Sequence, residues 1–430
     1  MSGLRVSLNN QGDLLPHNDV SLAYSTTCGL LPEQIDALVK QLVPVLETTS
    51  RYAFMQVPLD AHAFAQVQEM VSAKRLLNPT LLVVVGIGGS NLGARALHEA
   101  LHGTLYNELS RPMRVYWADT VDADYSADIA ALIERELRND GTVIINVISK
   151  SGATTETIAN LGLFIEILKD HRPDSYHEYV VATTDEGSEL WDYAQRAGYA
   201  CLEIPKNVGG RYSVFTPVGL FPLGLLGIDI RQLLYGAQQA NIQDAARSAA
   251  IIYAHYKQGK TVHDFFLFSV ACEALGKWYR QLFAESLGKN SFGMTPTVSI
   301  GSADLHSMVQ LYLGGSDTRI TSFVTIGHTD VRLHVPHEHD FDLLVPSIGG
   351  KSFAEIMYAL TAGTQRAYLA QQRPFMKYTL AHKTPQALGM FMQMQMYTVV
   401  YMGHLLGINP FDQPAVELYK KETRRLLAHE

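Results

Sequence analysis

The sequence predicts an α/β protein of two similarly planned subdomains, each a mainly parallel sheet covered on both faces, with helical segments at the two ends. Three observations carry this reading. The 430 residues are too many for one ordinary core and suit about two domains. From about residue 80, short β-rich apolar runs alternate with helical stretches, the pattern of a parallel sheet sandwiched between helices. The unit VVVGIGGSNLGARALHEALHG, strand then small residues then helix, is echoed by VSIGSADLHSMVQLYLGG.

Residues 1–75 read as an N-terminal helical arm, in which LPEQIDALVKQLVPVLETT sets apolar positions at helical spacing after Leu31 and Pro32. The first subdomain, 76–205, holds the runs TLLVVVGI, RVYWADTV, TVIINVIS and YHEYVVATT, each read as a strand. The second, 206–400, is read as a helix over Val262–Leu287, the strand TPTVSIG, the helix ADLHSMVQLYLG and the strand ITSFVTIG. Residues 401–430 form a C-terminal segment that closes in a helix after NPFDQP. No low-complexity linker or charge run divides the halves, so the subdomains are expected to pack closely and share a cleft, where ligand sites favour lying.

With 47% hydrophobic and 18% charged residues, the chain has the composition of a globular protein. A net charge of −8 and a pI near 6.1 argue against a nucleic-acid partner, because duplex affinity rests on many cations. A small anion remains possible where a few cations converge. The stretch Thr384–Phe411 carries no charge and is long enough to span a bilayer, which takes about 20 residues. Gln393, Gln395, His404 and Asn409 interrupt it, so it reads instead as a buried helix, with Met390, Met392, Met394 and Met396 as core filler. Cys28, Cys201 and Cys272 are odd in number and widely spaced, which indicates neither a disulfide framework nor a zinc knuckle. MSGLRVSLNNQGDLLPHND has no apolar segment of signal-peptide length, and a reducing cytoplasm is the expected home.

The glycine loop after the first strand invites comparison with nucleotide-binding loops. Gly86 and Gly88 fit a dinucleotide fingerprint, but Asn91 stands at the third glycine position, and the candidate acid Asp119 lies too far on. A P-loop lysine is absent. What remains is a turn whose Gly88 and Gly89 let a ligand approach the backbone, with the Ser90 hydroxyl at a helix start: a small anion site, or a tight turn chosen for packing. After TVIINVIS comes a second such place, SKSGATTET, with hydroxyls on Ser149, Ser151, Thr154 and Thr155, a charge on Lys150, and a helix start. Hydroxyls, amides and one cation suit a phosphate dianion, although a Ser/Thr cluster at a helix start is also an ordinary cap.

Together with NVGGRYS, these motifs are similar to those of the glucose-6-phosphate isomerase (phosphoglucose isomerase) family, in its shorter bacterial form, over roughly residues 80 to 421. The resemblance implies two sugar-isomerase (SIS) subdomains, each a doubly wound α/β sandwich. It implies aldose–ketose isomerisation of glucose 6-phosphate and fructose 6-phosphate through a cis-enediol(ate), with no cofactor, and a homodimer whose subunits share the active site.

Such a reaction needs a base to move a proton between C1 and C2, a cation for the enediolate, and groups that open the ring. Glu285 and Gln281 lie four residues apart on one face of an apolar helix, and the resemblance makes them catalytic base and substrate contact. Arg211, after Gly209 and Gly210, corresponds to the enediolate-stabilising cation. His306, supplied across the dimer, and Lys420 correspond to the ring-opening groups, and Gln413, upstream of Lys420, to a substrate contact, as do Gly88, Gly89 and Gly210. The adjacent Lys421 leaves a one-residue ambiguity that motif spacing settles. Phosphate binding falls to Ser90, Ser149, Lys150, Ser151 and Thr154. The chain departs from longer family members at Ser151 and Gly152, where those have threonine and phenylalanine, and at Ala94, often proline.

His334, His337, His339 and Asp340 have the composition of a metal site, but a chain that already holds a metal-free constellation is expected to use them as a solvated loop. Two other readings differ in class or substrate. A non-catalytic sugar-phosphate sensor would need the phosphate loops, but not Glu285, Arg211 and His306 together. An isomerase that also takes mannose 6-phosphate differs only in where one hydroxyl points.

Overall fold

The computed structural model describes residues 20–24, 32–47, 52–109, 111–337 and 339–428, the side chain of His339 excepted. Cys28 and the N-terminal stretch read for a leader lie outside the described residues. Among the described residues the ten strands are β1 (Val20–Tyr24), β2 (Leu81–Val85), β3 (Arg114–Ala118), β4 (Val143–Ile148), β5 (Val180–Thr184), β6 (Ala200–Glu203), β7 (Val262–Leu267), β8 (Thr295–Ile300), β9 (Arg319–Ile326) and β10 (Phe375–Leu380). They form two five-stranded sheets, ordered β3-β2-β4-β5-β6 and β8-β7-β9-β10-β1. The first sheet is parallel throughout; in the second only β1, paired with β10, runs antiparallel.

Counted from β2 in the first sheet and from β7 in the second, four strands of each follow the order 2-1-3-4, the doubly wound plan in which the chain reverses direction beside the strand counted first. Both faces of the first sheet are covered. Leu81, Val83 and Val85 point with Val143, Ile145 and Val147 into one cluster, shared with Ile129, Ile133, Leu161 and Phe164 of the helices Ala123–Arg138 and Thr155–His171. Leu82, Val84 and Ile144 point the other way, into the large central core. β7 alternates likewise: Phe265 and Leu267 join the central core, while Phe266 packs with Tyr312, Phe323 and Tyr368 outside. A central core shared between the two sheets makes them one body, as the missing linker suggests.

Three sequence readings are corrected. Val262–Leu287 is not one helix: Val262–Leu267 is strand β7, and the helix covers Glu273–Leu287. The run HDFFL is buried on both faces, so it lacks the alternation that would distinguish a strand from a buried helix. The helical arm also holds β1, which completes the second sheet. The echo joins unlike places, since VVVG is the interior strand β2 and VSIG is the edge strand β8. The helix Pro385–Leu406 crosses the boundary drawn at residue 400, and it is the buried helix expected there, with Gln393 and Gln395 both fully buried. No described helix is long and apolar enough to cross a membrane.

Candidate active site

The reversal in the first sheet lies between β2 and β4, and both candidate phosphate loops leave from the C-terminal ends of those strands. They touch: a Cβ on Gly86 would lie 2.9 Å from Ser90 Cβ and 3.0 Å from the Ile148 carbonyl oxygen. Gly88–Ser90 is a tight helical turn leading into the helix Leu92–His102, and Gly88 has a φ of +61°, which favours glycine. Asn91, at the place of the missing glycine, is 1% exposed and donates to Asp119 at 3.0 Å. The acid too distant in sequence for a dinucleotide site thus fastens the turn.

In the second loop, Ser149 Oγ and Thr154 Oγ1 are 2.9 Å apart. Thr154 is the N-cap residue of the helix Thr155–His171 but makes no side-chain cap bond, so its hydroxyl is turned to Ser149 rather than to the helix amides. Ser151 is exposed. Lys150 Nζ donates to the carbonyls of Lys206 (2.5 Å) and Val208 (2.9 Å), which ties this loop to the segment before Gly209 and Gly210. Gly152 has φ +73°, and a Cβ there would lie 2.7 Å from the Leu190 amide nitrogen. A larger side chain at Gly152 has no room in this loop.

Facing the first loop stand Arg211 and the end of the helix Glu273–Leu287. The approach is as close as backbones allow: a Cβ on Gly89 would fall 2.1 Å from the Gly210 carbonyl carbon, and one on Gly88 would fall 2.9 Å from Gln281 Nε2. Arg211 is 2% exposed, and its five N–H groups all find acceptors. Nε donates to Ser286 Oγ (2.7 Å), Nη1 to Gln413 Oε1 (2.5 Å) and Glu285 Oε2 (3.5 Å), and Nη2 to the carbonyls of Pro410 (2.7 Å) and Asp412 (3.1 Å). Gln281 Nε2 donates to the same Glu285 oxygen at 3.2 Å. Both bonds therefore fall on Oε2; among the described residues Oε1 has none. The face read as apolar is polar at this end. Gln281 Oε1 is buried without a partner, an acceptor left open inside the cleft.

The structure thus gathers Gly88, Gly89, Gly210, Arg211, Gln281, Glu285 and Gln413 into one cluster, with Ser90, Ser149, Lys150, Ser151 and Thr154 on the adjoining loops. Two predicted residues make no hydrogen bond or ion pair with it among the described residues. His306 is exposed on the turn after β8. β8 ends level with β7, where the helix carrying Glu285 begins, whereas Glu285 lies twelve residues along that helix. At about 1.5 Å per residue the separation along the axis is roughly 18 Å. Lys420 lies on the helix Val416–Leu427 and pairs with Glu417 at 2.9 Å.

Four residues escaped the sequence reading. Ser286 and Tyr212 are buried beside Arg211, their oxygens 3.0 Å apart, and burial pushes the Tyr212 phenol upward. Lys289 and Asp412 form an ion pair at 2.7 Å. Each neighbours a residue already singled out, in ESLGK, GGRYS or FDQP; adjacency was the available signal. His334, His337 and Asp340 are exposed, and among the described residues no group of three or more His, Cys, Asp or Glu is placed to hold a metal.

The sequence pattern of the family described as phosphoglucose isomerase matches residues 73–303. A probable glucose-6-phosphate isomerase of Methanococcus maripaludis is 34% identical, over 81% of this chain and 78% of its own. The glucose-6-phosphate isomerase of Thermus thermophilus is 32% identical, over 89% and 92%. Among solved structures, a hypothetical protein of Thermus thermophilus superposes with a TM-score of 0.85 at 29% identity, over 95% of this chain and all of that one. A glucose-6-phosphate isomerase of Chlamydia trachomatis shares the fold, with a TM-score of 0.76 at 21% identity over 95% and 88%. On the extent of these matches, the chain belongs to the phosphoglucose isomerase family.

Proposed function

We propose that the cluster around Glu285 interconverts glucose 6-phosphate and fructose 6-phosphate, and that it does so by proton transfer. The carrying observation is the asymmetry of Glu285: Oε2 is held by Arg211 and Gln281, while Oε1 is left to act. A carboxylate pinned by one oxygen is oriented without being blocked.

The phosphate of the open-chain sugar sits between the Gly88–Ser90 turn and the Ser149–Thr154 loop, held by hydroxyls, helix-start amides and Lys150. Glu285 Oε1 takes the proton from C2 of the aldose. The electrons move into the C1–C2 bond, O1 gains a proton, and the O2–H proton is released to form the 2-ketone as Glu285 returns its own proton to C1. The reverse direction retraces these steps. Arg211 Nη1, between Glu285 and Gln413, is the cation beside the developing enediolate. The open acceptor Gln281 Oε1 supports a hydroxyl contact from the sugar.

Ring opening is assigned to His306 and Lys420. With His306 on the order of 18 Å along the helix axis from Glu285, the histidine serving one cluster comes from a second copy of the chain, in a homodimer. No cofactor takes part in this reading. A phosphorylated hexose does not cross a bilayer, so a cytoplasmic location goes with it.

A coupled assay with glucose 6-phosphate or fructose 6-phosphate tests the reaction. Glu285→Gln is expected to lower kcat by roughly 10²- to 10⁴-fold while a competitive hexose-phosphate inhibitor still binds. Normal turnover in that variant would remove Glu285 as the base.

A further inference from the structure

We infer that Lys289 is a positioning residue of the isomerisation: it holds the segment Asn409–Gln413 in place, so that Gln413 keeps one N–H of Arg211 Nη1 and holds the guanidinium back from Glu285. The inference rests on the reaction proposed above. Residues 409–413 belong to no helix or strand, so no backbone ladder fixes them. Two buried cations do. Arg211 binds the carbonyls of Pro410 and Asp412 and the Gln413 side chain from one side. Lys289, its side chain 9% exposed, donates to the Asn409 carbonyl and pairs with Asp412 Oδ1 at 2.7 Å from the other. Lys289 follows the helix that ends at Leu287, where a cation also meets the favourable end of the helix dipole.

Gln413 and Glu285 take the two N–H groups of Nη1, at 2.5 Å and 3.5 Å respectively. If the segment drifts, Gln413 leaves and Nη1 closes on Glu285. The carboxylate would then be drawn into a tight ion pair, at the expense of its pull on a carbon-bound proton. The phosphate loops, on β2 and β4, are untouched by such a shift. Loss of Lys289 should therefore act on kcat and spare KM. Asp412 has a side chain 52% exposed, so its carboxylate is solvated when the lysine is gone.

The experiment compares Lys289→Met, Lys289→Arg, Asp412→Asn and the double variant Lys289→Met/Asp412→Asn, with fructose 6-phosphate as substrate and thermal unfolding as the control for folding. The expected result is a kcat about ten- to a hundredfold down in Lys289→Met, KM within about twofold, and partial rescue by Lys289→Arg. The double variant should fall no lower than Lys289→Met, since the contact is already broken. A folded Lys289→Met enzyme with wild-type kcat, a loss confined to KM, or losses that multiply in the double variant would each overturn the inference. If Lys289→Met does not fold, Asp412→Asn and Lys289→Arg decide alone: unchanged kcat in Asp412→Asn overturns it. Absence of turnover in the unsubstituted protein would instead strike the proposed reaction itself.

Discussion

Replacing Gly89 with alanine adds one carbon where two loops already touch. That carbon would stand 2.1 Å from the Gly210 carbonyl carbon, 2.3 Å from its oxygen and 2.6 Å from the Arg211 amide nitrogen. Ordinary contact between carbons begins near 3.5 Å, so the shortfall is roughly 1.4 Å. All three obstructing atoms are backbone, so no side chain can rotate away. The turn Gly88–Ser90 and the turn Gly210–Tyr212 must move apart by about an ångström, and Arg211 must move with the second. Overpacking of this kind costs about 1–3 kcal/mol in stability, and an ångström of misplacement at a reacting centre costs roughly a hundredfold in rate. The assay is kcat/KM for fructose 6-phosphate beside the midpoint of thermal unfolding. Gly162→Ala is the control: Gly162 lies in the helix Thr155–His171 with nothing within 4 Å of an added Cβ, and should gain about 0.5–1 kcal/mol. A Gly89→Ala enzyme within about threefold of wild type would refute the reasoning, because the two loops would then have slack that their contact denies.

Arg211→Lys replaces five fixed donors with three on a flexible stem and takes a donor from each of the buried acceptors at Ser286 and Pro410, so a loss of about 1–3 kcal/mol is expected in urea unfolding, together with loss of turnover. Stability should also fall in mild acid. Burial pushes His98 down to about 3, His255 to about 4 and His263 to about 3. Unfolded histidine titrates near 6.5, so below that pH the unfolded chain binds protons that the folded chain refuses; stability is full above about 6.5 and lost as pH falls toward about 4. Asp264, raised by burial, works in the opposite sense, so the informative comparison is with His263→Gln, whose dependence on pH between 7 and 5 should be shallower; identical slopes would refute the assignment. Exhaustive chelation should leave isomerase activity intact, and activity lost to chelator and restored by a divalent metal would contradict the metal-free reading.

How much of this was legible beforehand differs by residue. GIGGS and SKSGATTET carry local chemistry, so Gly88 and Ser90 could be chosen from the residues themselves, whereas Arg211, Gln281 and Glu285 took their roles from the family resemblance. Strand β7 was not legible, because a strand buried on both faces loses the alternation that identifies it. β1 was missed because its partner, β10, lies more than 350 residues further on. Lys289 and Asp412 stood inside or beside quoted motifs, but nothing local says that they pair.

By itself the sequence determined the alternation of strand and helix, two α/β halves, the phosphate-suited loops and the types of residue available for proton transfer. These properties are local: periodicity, turn chemistry and helix starts act over a few residues. Tertiary structure alone decided that Arg211 meets Gln413, 202 positions away, that both held bonds of Glu285 fall on one oxygen, and that His306 follows the end of β8 while Glu285 lies near the C-terminal end of its helix. Such choices depend on where two sheets and a shared core bring distant segments into contact, and no pattern in a single stretch of chain contains that distance.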